Sequence, residues 1–320
     1  MRISAVIPVH NGAKTIELTL ASVFSQIVPA DEILVLDDGS TDDTAAIVKE
    51  YGKQVTLVRQ ENRGVAPTRN ALCSRAQGDL IAFLDADDLW HPNYLQVQRR
   101  VFAENQGIAS SFTGHVNFSG YGPYKWNEKL VNIEPKVEII EPLEFLKRYN
   151  QATGPFASMS YCCVPKIILT SIGPEPFQVS GVDDSYLFTL LPLLGPVAYS
   201  SVPLVAYRVT AGAQSVNRLK IFGAWVRVFE ILKERYERQE DPQLKEAFRA
   251  AFASKRRQFG KLLMAAGRTS EAREEFWRSA WDTRIPLSIL KSMALLLASY
   301  VPLPLQPRWP PLYREWNESE

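Results

Sequence analysis

Cysteine and histidine are scarce, with three of each in 320 residues. Cys162 and Cys163 are adjacent and Cys73 is distant, so no disulfide framework is laid out and the pattern fits a reducing compartment. His10, His91 and His115 make no zinc spacing with those cysteines. Charge of one sign is lacking too. The formal net charge is +1, so no global field argues for nucleic acid, and acidic and neutral substrates stay equally open. No apolar run has the length of a bilayer-spanning helix. The opening segment is interrupted by Pro8 and His10 too early for a signal peptide, which makes a cytoplasmic chain the expectation. Phosphate cradles are missing as well. The first strand candidate runs into Pro8-Val9-His10-Asn11-Gly12 instead of Gly-x-Gly-x-x-Gly, and no Gly-rich loop ends in Gly-Lys-Ser or Gly-Lys-Thr. Dinucleotide and P-loop readings therefore lose their anion sites.

What is present is an ordinary globular composition, 46% hydrophobic and 22% charged, in a chain long enough for one large domain and an appendage. Apolar runs over Ile3–Val9, Glu32–Leu36, Val55–Val58 and Leu80–Leu84 predict strands. Amphipathic segments over Lys14–Gln26, Thr41–Tyr51 and Val65–Ala76 predict helices between them. Strands alternating with helices imply βαβ units and a mainly parallel sheet with helices on both faces. Beyond Gly107 the pattern loosens. Ile108–Phe118 and Leu204–Val209 read as strands, Glu141–Tyr149 and Asp183–Leu194 as helices. From about Arg218 the chain turns almost wholly helical, over Leu219–Glu237, Gln243–Ala266, Ser270–Trp281 and Ser288–Ser299. Gly267 reads as a helix stop, with Thr269 or Ser270 as the next cap.

Two acidic clusters carry the chemistry. Asp37-Asp38-Gly39-Ser40 closes the second strand and Asp85-Ala86-Asp87-Asp88 the fourth. In an open α/β sheet, ligands sit just outside the carboxyl ends of the strands. Acids grouped there repel one another unless something satisfies them. A divalent cation sharing its ligands with phosphate and water is one answer. Acidic turns followed by helix caps are the plainer alternative for either cluster alone. Neither cluster has the glycine and terminal glutamate of an EF-hand.

In this order and spacing the segments from Val6-Ile7-Pro8-Val9-His10-Asn11-Gly12 through Glu32–Asp42, Asn62-Arg63-Gly64, Arg69-Asn70 and Leu84–Asp88 resemble a family 2 glycosyltransferase of the GT-A fold. The match is specific over roughly the first 90 residues and weaker onward to about Val216. The resemblance implies a Rossmann-like, mainly parallel sheet flanked by helices, as a catalytic domain over residues 1–217 with a helical region over 218–320. It implies an inverting, hexosyltransferase-type enzyme that moves a sugar from a nucleotide sugar, a UDP-sugar foremost, onto a glycan or lipid-linked acceptor in bacterial surface-polysaccharide assembly. Asp37 or Asp38 would hold the base and ribose, with Pro8 and His10 on the loop beside the base and Arg69 near the nucleotide or its phosphates. Asp85 would contact the ribose, and Asp87 would ligate Mg²⁺ or Mn²⁺. Asp184 matches the carboxylate that takes the acceptor's proton, and Asp183 stands where the family usually has a glutamate. Thr210 replaces a histidine that ends the Tyr-Arg-x-His strand of many relatives, with Ser215 a few residues on as a phosphate contact. The alternative is a nucleotide-sugar-binding protein without turnover.

Two regions stay open on sequence alone. Tyr121, Tyr124, Trp126 and Phe156 would either stack on an acceptor sugar or pack a long loop, and Trp90 follows the acidic pair closely enough to border a site. Residues 286–305 are too short and proline-broken to span a membrane yet apolar and flanked by basic residues. They would form either a peripheral contact on the inner membrane face or a packed helix.

Overall fold

The computed structural model describes residues 1–126, 136–151, 158–179, 181–209 and 218–301. The chain divides into two compact units, Met1–Phe145 with Phe156–Ala213, and Leu146–Pro155 with Gln214–Glu320.

The first unit opens with β1 (Ile3–Val9), α1 (Ile16–Phe24), β2 (Glu32–Asp38), α2 (Thr44–Lys49), β3 (Thr56–Gln60), α3 (Val65–Arg75) and β4 (Leu80–Phe83). The four strands run parallel in the order β3-β2-β1-β4, with Val6 opposite both Leu34 and Phe83. Every residue of β1 and β4 is buried, which is why these runs are apolar throughout and do not alternate. From β1 the chain walks outward through β2 and β3, then returns to β4 on the other side. That reversal opens a crevice outside the strand ends, the usual ligand position in such sheets.

Proline in a central strand needs an explanation, because it has no N–H to donate. The Val6 and Arg2 carbonyls accept from Leu84 and Leu80, so even-numbered residues of β1 face β4. Strand β4 ends at Phe83, opposite Val6. Pro8 thus faces the side where no ladder remains, and its missing donor costs nothing.

The unit continues with β5 (Leu89–Trp90), α4 (Tyr94–Glu104), β6 (Ser110–Phe118), β7 (Val137–Ile140), α5 (Pro142–Gln151), β8 (Cys162–Pro165), α6 (Lys166–Ile172), α7 (Asp183–Leu190) and β9 (Val197–Arg208). Helix α5 begins in this unit and ends in the other. The sheet extends as β4-β8-β6-β9-β5, with β8 antiparallel to β4 and β6, β9 parallel to β6, and β7 and β5 antiparallel to β9. Elements α4, α6, β5, β7 and β8 go beyond the sequence expectations. Strand β9 starts seven residues earlier than Leu204, and α7 gives way to a 3₁₀ turn over Leu191–Leu193 at Pro192. Helix α2 starts later than Thr41, because Asp42 accepts from the Thr44 amide and the Asn11 side chain from the Thr41 amide. The three cysteines are buried free thiols, and burial pushes the Cys73 thiol up to about 12. They serve as small core residues.

The second unit contains α8 (Arg218–Glu237), α9 (Pro242–Ala265), α10 (Thr269–Trp281) and α11 (Pro286–Ala298). Phe229 stacks on Phe252 at 5.5 Å and Tyr236 on Phe248 at 5.4 Å, joining α8 to α9. Asp241 caps α9 by accepting from the Gln243 amide, with Pro242 at the first helical position. Its other end is closed by Gly267 (φ +75°), with Gly267 donating to the Met264 carbonyl and Arg268 to that of Leu263. This is the Schellman arrangement expected of a glycine stop. The next helix begins without a side-chain cap from Thr269 or Ser270; its cap residue is Arg268. Buried Arg256 pairs with Glu230, Glu275 and Asp282 at 2.6–3.1 Å, tying α8, α9 and α10 together. None of the described helices is long and apolar enough to cross a membrane.

Candidate active site

The first acidic cluster folds in on itself. Asp37 is fully buried, accepting from the Ser40 amide at 2.9 Å and from Arg59 Nε at 2.7 Å. Between them stands Gly39 at φ +72°, where an added Cβ would lie 2.7 Å from the Asn62 amide nitrogen. Only glycine fits this turn. Asp38 accepts from Gln60 Nε2 and the Arg63 amide on one oxygen and from the Gly64 amide on the other, all at 2.7–2.9 Å. Burial alone would raise its carboxyl, but these donors outweigh it and hold the pKa below the ordinary value. Both carboxylates are engaged inside the protein, and Asp38 fixes the start of α3. His10 stands on the loop as expected, its Nδ1–H donating to the Asp38 carbonyl at 2.8 Å in the tautomer that fits. Pro8, expected on that loop, belongs instead to β1, paired in register with Leu36.

Five residues into α3 lies Arg69, and here the structure joins what the sequence scatters. Arg69 Nη2 donates to Asp85 at 2.6 Å and Nη1 to Asp183 at 2.5 Å. Its side chain is 7% exposed and that of Asp183 is 4%. The sequence places Arg69 beside the nucleotide or its phosphates; the structure gives its guanidinium two carboxylate partners. The loop after β4 is thereby bound to the amino terminus of α7 through Arg69, which lies 114 residues from Asp183 in sequence. Next to Asp183, Asp184 is half-buried on the first turn of α7. Its Oδ1 accepts from the Ser185 amide and hydroxyl; among the described residues Oδ2 has no partner. Burial and the charge of Asp183 push its carboxyl up to about 6, with Arg69 pulling the other way.

The acids after β4 are less well matched. Burial and the charge of Asp85 push the Asp87 carboxyl up to about 6. Asp88 is buried, its Oδ1 accepting from the Arg208 amide at 2.7 Å while Oδ2 has no partner among the described residues. Burial and the charges of Asp87 and Asp85 hold its carboxyl well above the usual range. Arg208 Nε donates to the Asp87 carbonyl at 2.7 Å, and its guanidinium lies 4.3 Å from the Phe118 ring centroid. Arg208 thus holds the acidic turn through the Asp87 carbonyl and, by its own amide, through the Asp88 carboxylate.

Sequence alone gives no site role to Ser160, Tyr161, Tyr207 or His115. Ser160 Oγ accepts from the Asp85 amide. Tyr161 stacks on His115 at 4.8 Å, and Tyr207 meets His115 edge-on. Burial, together with the charges of Asp88, Asp85, Asp87 and Asp184, raises the Tyr207 hydroxyl above its ordinary value, which places it among the acids. In the sequence it stands out only as the tyrosine of the Tyr-Arg-x-His strand, far from the acidic turn. Trp90 is fully buried, its indole N–H bound to the Ser160 carbonyl at 2.7 Å and its ring on Tyr94, so it underlies the site and presents no face to an acceptor. Tyr124 packs between Phe118 and Trp126, and Trp126 against His91. Tyr121 is exposed. Phe156, Thr210 and Ser215 lie outside the described residues.

A reversed-order α/β sheet with acids at the ends of β2 and β4 and at the start of α7 defines a ligand-binding α/β protein whose site lies at the switch point. The chain belongs to glycosyl transferase family 2, whose family model matches residues 4–165. TuaG of Bacillus subtilis (strain 168), a glycosyltransferase named for teichuronic acid biosynthesis, is 39% identical over 117 residues, 35% of this chain and 46% of its own length. WfgD of Escherichia coli, named as a UDP-Glc:alpha-D-GlcNAc-diphosphoundecaprenol beta-1,3-glucosyltransferase, is 36% identical over 105 residues, 32% of this chain and 42% of its own length. The chain thus spans less than half the length of these relatives. Among solved structures, S. aureus TarS 1-349 in complex with UDP-GlcNAc superposes with a TM-score of 0.68 at 16% identity, covering 94% of this chain and 89% of that one. The mannosyltransferase PcManGT of Pyrobaculum calidifontis, in complex with GDP-Man and Mn2+, gives 0.58 at 21%, covering 94% and 81%. At such identities the likeness is one of fold, and the fold is GT-A-like.

Proposed function

We propose that this chain is an inverting glycosyltransferase that moves a sugar from a nucleotide-sugar donor onto an acceptor hydroxyl. The observation that carries this reading is the Arg69 bridge, which gathers Asp85 and Asp183 around one cation and brings Asp184 to the same place. Asp184 is suited to be the general base. A carboxyl near 6 is ionised at neutral pH yet more basic than an ordinary aspartate, and no donor among the described residues occupies Oδ2. The Arg69 charge keeps that carboxyl from rising further.

The acids after β4 fit a divalent cation. Burial and mutual repulsion raise the Asp87 and Asp88 carboxyls despite the nearby Arg208, and Asp88 Oδ2 is an orphaned buried acceptor. Among the described residues no group of three or more His, Cys, Asp or Glu could hold a metal ion. Mg²⁺ or Mn²⁺ needs only one or two carboxylates and completes its shell with phosphate and water. Asp87 would hold it, with Asp85 toward the ribose, and the chemistry it would supply is neutralisation of charge on the leaving diphosphate. Pro8, His10, Asp37 and Asp38 shape the wall where the nucleotide base would lie, the two acids acting through the loops they hold.

A UDP-sugar is the donor best supported, since TarS is seen with UDP-GlcNAc and WfgD is named for UDP-Glc. WfgD's diphosphoundecaprenol acceptor supports a lipid-linked acceptor here, and TuaG's name a role in bacterial surface polysaccharide. We assign residues 1–217 to the catalytic domain and 218–320 to a helical region. The anomeric configuration of the product, read by NMR during turnover, tests the mechanism. Inversion is expected, and retention would rule out single displacement with Asp184 as base.

A further inference from the structure

Helix α11 is attached by its polar side. Ser288, Ser292 and Ser299 are buried. Arg257 Nη1 donates to the hydroxyls of Ser288 and Ser292 at 2.9 and 3.2 Å, and Arg273 Nη2 to the Ser299 carbonyl at 2.9 Å. Leu295 and Leu296 add partial packing against the cluster of Leu263, Met264, Ala272 and Phe276. The opposite face is apolar and open. Leu287, Leu290 and Leu297 are 62%, 65% and 68% exposed, at helical spacing with Ala294 between them. Trp281, 74% exposed, ends α10 shortly before α11, and Tyr300, 64% exposed, follows α11 with the Arg273 guanidinium 3.9 Å from its ring centroid. A surface helix ordinarily turns its leucines inward and its serines to water. A single exposed leucine carries no meaning, but a continuous stripe marks an interaction surface.

Charge decides what it meets. From Thr283 to Val301 the only charged residues are Arg284 and Lys291, both exposed. The exposed acids of neighbouring α10, Glu271 and Glu274, are already paired with Arg268 and Arg278. A two-fold contact through this segment would bring the same two cations from each copy and no acid from either. An anionic headgroup surface supplies the missing charge. Trp281 and Tyr300, which flank α11 in sequence, are amphipathic rings of the kind that favour headgroup depth. Thirteen residues at 1.5 Å each are about 20 Å, too short to cross a bilayer but enough to lie along its surface.

We propose that the Leu287–Leu290–Leu297 face of α11 docks the protein on an anionic phospholipid membrane, the helix lying in the plane of the interface. The inference rests on the second unit alone, so its failure would leave the transfer reaction untouched. The test is flotation of the full chain with vesicles of phosphatidylcholine, alone or mixed equally with phosphatidylglycerol. Wild type should float with the mixed vesicles at low salt and far less with neutral ones. Leu290→Glu with Leu297→Glu should reduce partitioning by roughly a hundredfold or more, while circular dichroism shows an unchanged fold. Arg284→Gln with Lys291→Gln should weaken it about fivefold per cation at low salt, with little effect at high salt. Absence of flotation at low salt, or a leucine variant that floats as well as wild type, overturns the proposal. So does a wild-type dimer in light scattering that ignores vesicles and that the leucine substitutions dissolve, since that assigns the face to a second copy.

Discussion

Replacing Arg69 with glutamine should cost stability and alter the reaction's pH dependence together. Its guanidinium is nearly inaccessible and faces Asp183, equally buried, and Asp85, whose side chain is 30% exposed. Glutamine keeps some hydrogen bonding but removes the positive charge between the two acids. Breaking a buried pair by deleting one partner costs about 3–5 kcal/mol, because the other charge is left uncompensated. For a domain of this size roughly 2–4 °C of Tm is lost per kcal/mol, so the midpoint should fall by about 6–20 °C. The second effect follows from Asp184, which Arg69 holds down against burial and the charge of Asp183. A base works deprotonated, so the wild-type rate should rise with pH through about 6. Without Arg69 the carboxyl moves higher and the acidic limb shifts to higher pH. Differential scanning calorimetry and the pH profile of kcat/KM measure the two effects separately. A midpoint within about 2 °C of wild type, or an unmoved limb, would refute the bridge as described.

Asp184→Asn should lower kcat by about 10²–10⁴, the usual contribution of a positioned base, and abolish the limb near 6, while donor affinity holds. Equilibrium binding of the donor beside steady-state rates would check this; a large loss of affinity would argue for a donor-binding role instead. Gly39→Ala should destabilise by roughly 1–2 kcal/mol or more from the left-handed backbone alone, with the Asn62 contact adding to it. Urea titration measures it, and a neutral result would mean that the Asp37–Ser40 turn can relax.

The parallel half of the sheet was legible because each of its strands is a short apolar run closed by a turn, a purely local signal. The acidic turns were legible for the same reason. Their partners were not. Arg59 meets Asp37 across neighbouring strands, and Arg69 meets Asp183 across 114 residues, contacts that only the folded topology creates. Trp90 lies two residues after the acidic turn, yet pairing of β5 with β9 turns its indole inward to Ser160. Strand β8 is four residues, Cys-Cys-Val-Pro, with no period to read; burial between β4 and β6 makes it a strand. The serine face of α11 was hidden as well, because its anchoring depends on Arg257 and Arg273 from other helices.

The central claim is a donor site whose metal ligand is Asp87, and thermal shift tests it most directly. UDP-, GDP- and dTDP-sugars would be screened with and without Mn²⁺ on wild type and Asp87→Ala, since a ligand that binds only the folded state raises Tm by mass action. The account predicts that a UDP-sugar stabilises wild type in a metal-dependent way and leaves the variant unmoved. Equal stabilisation of both proteins, or none of wild type by any donor, would contradict it.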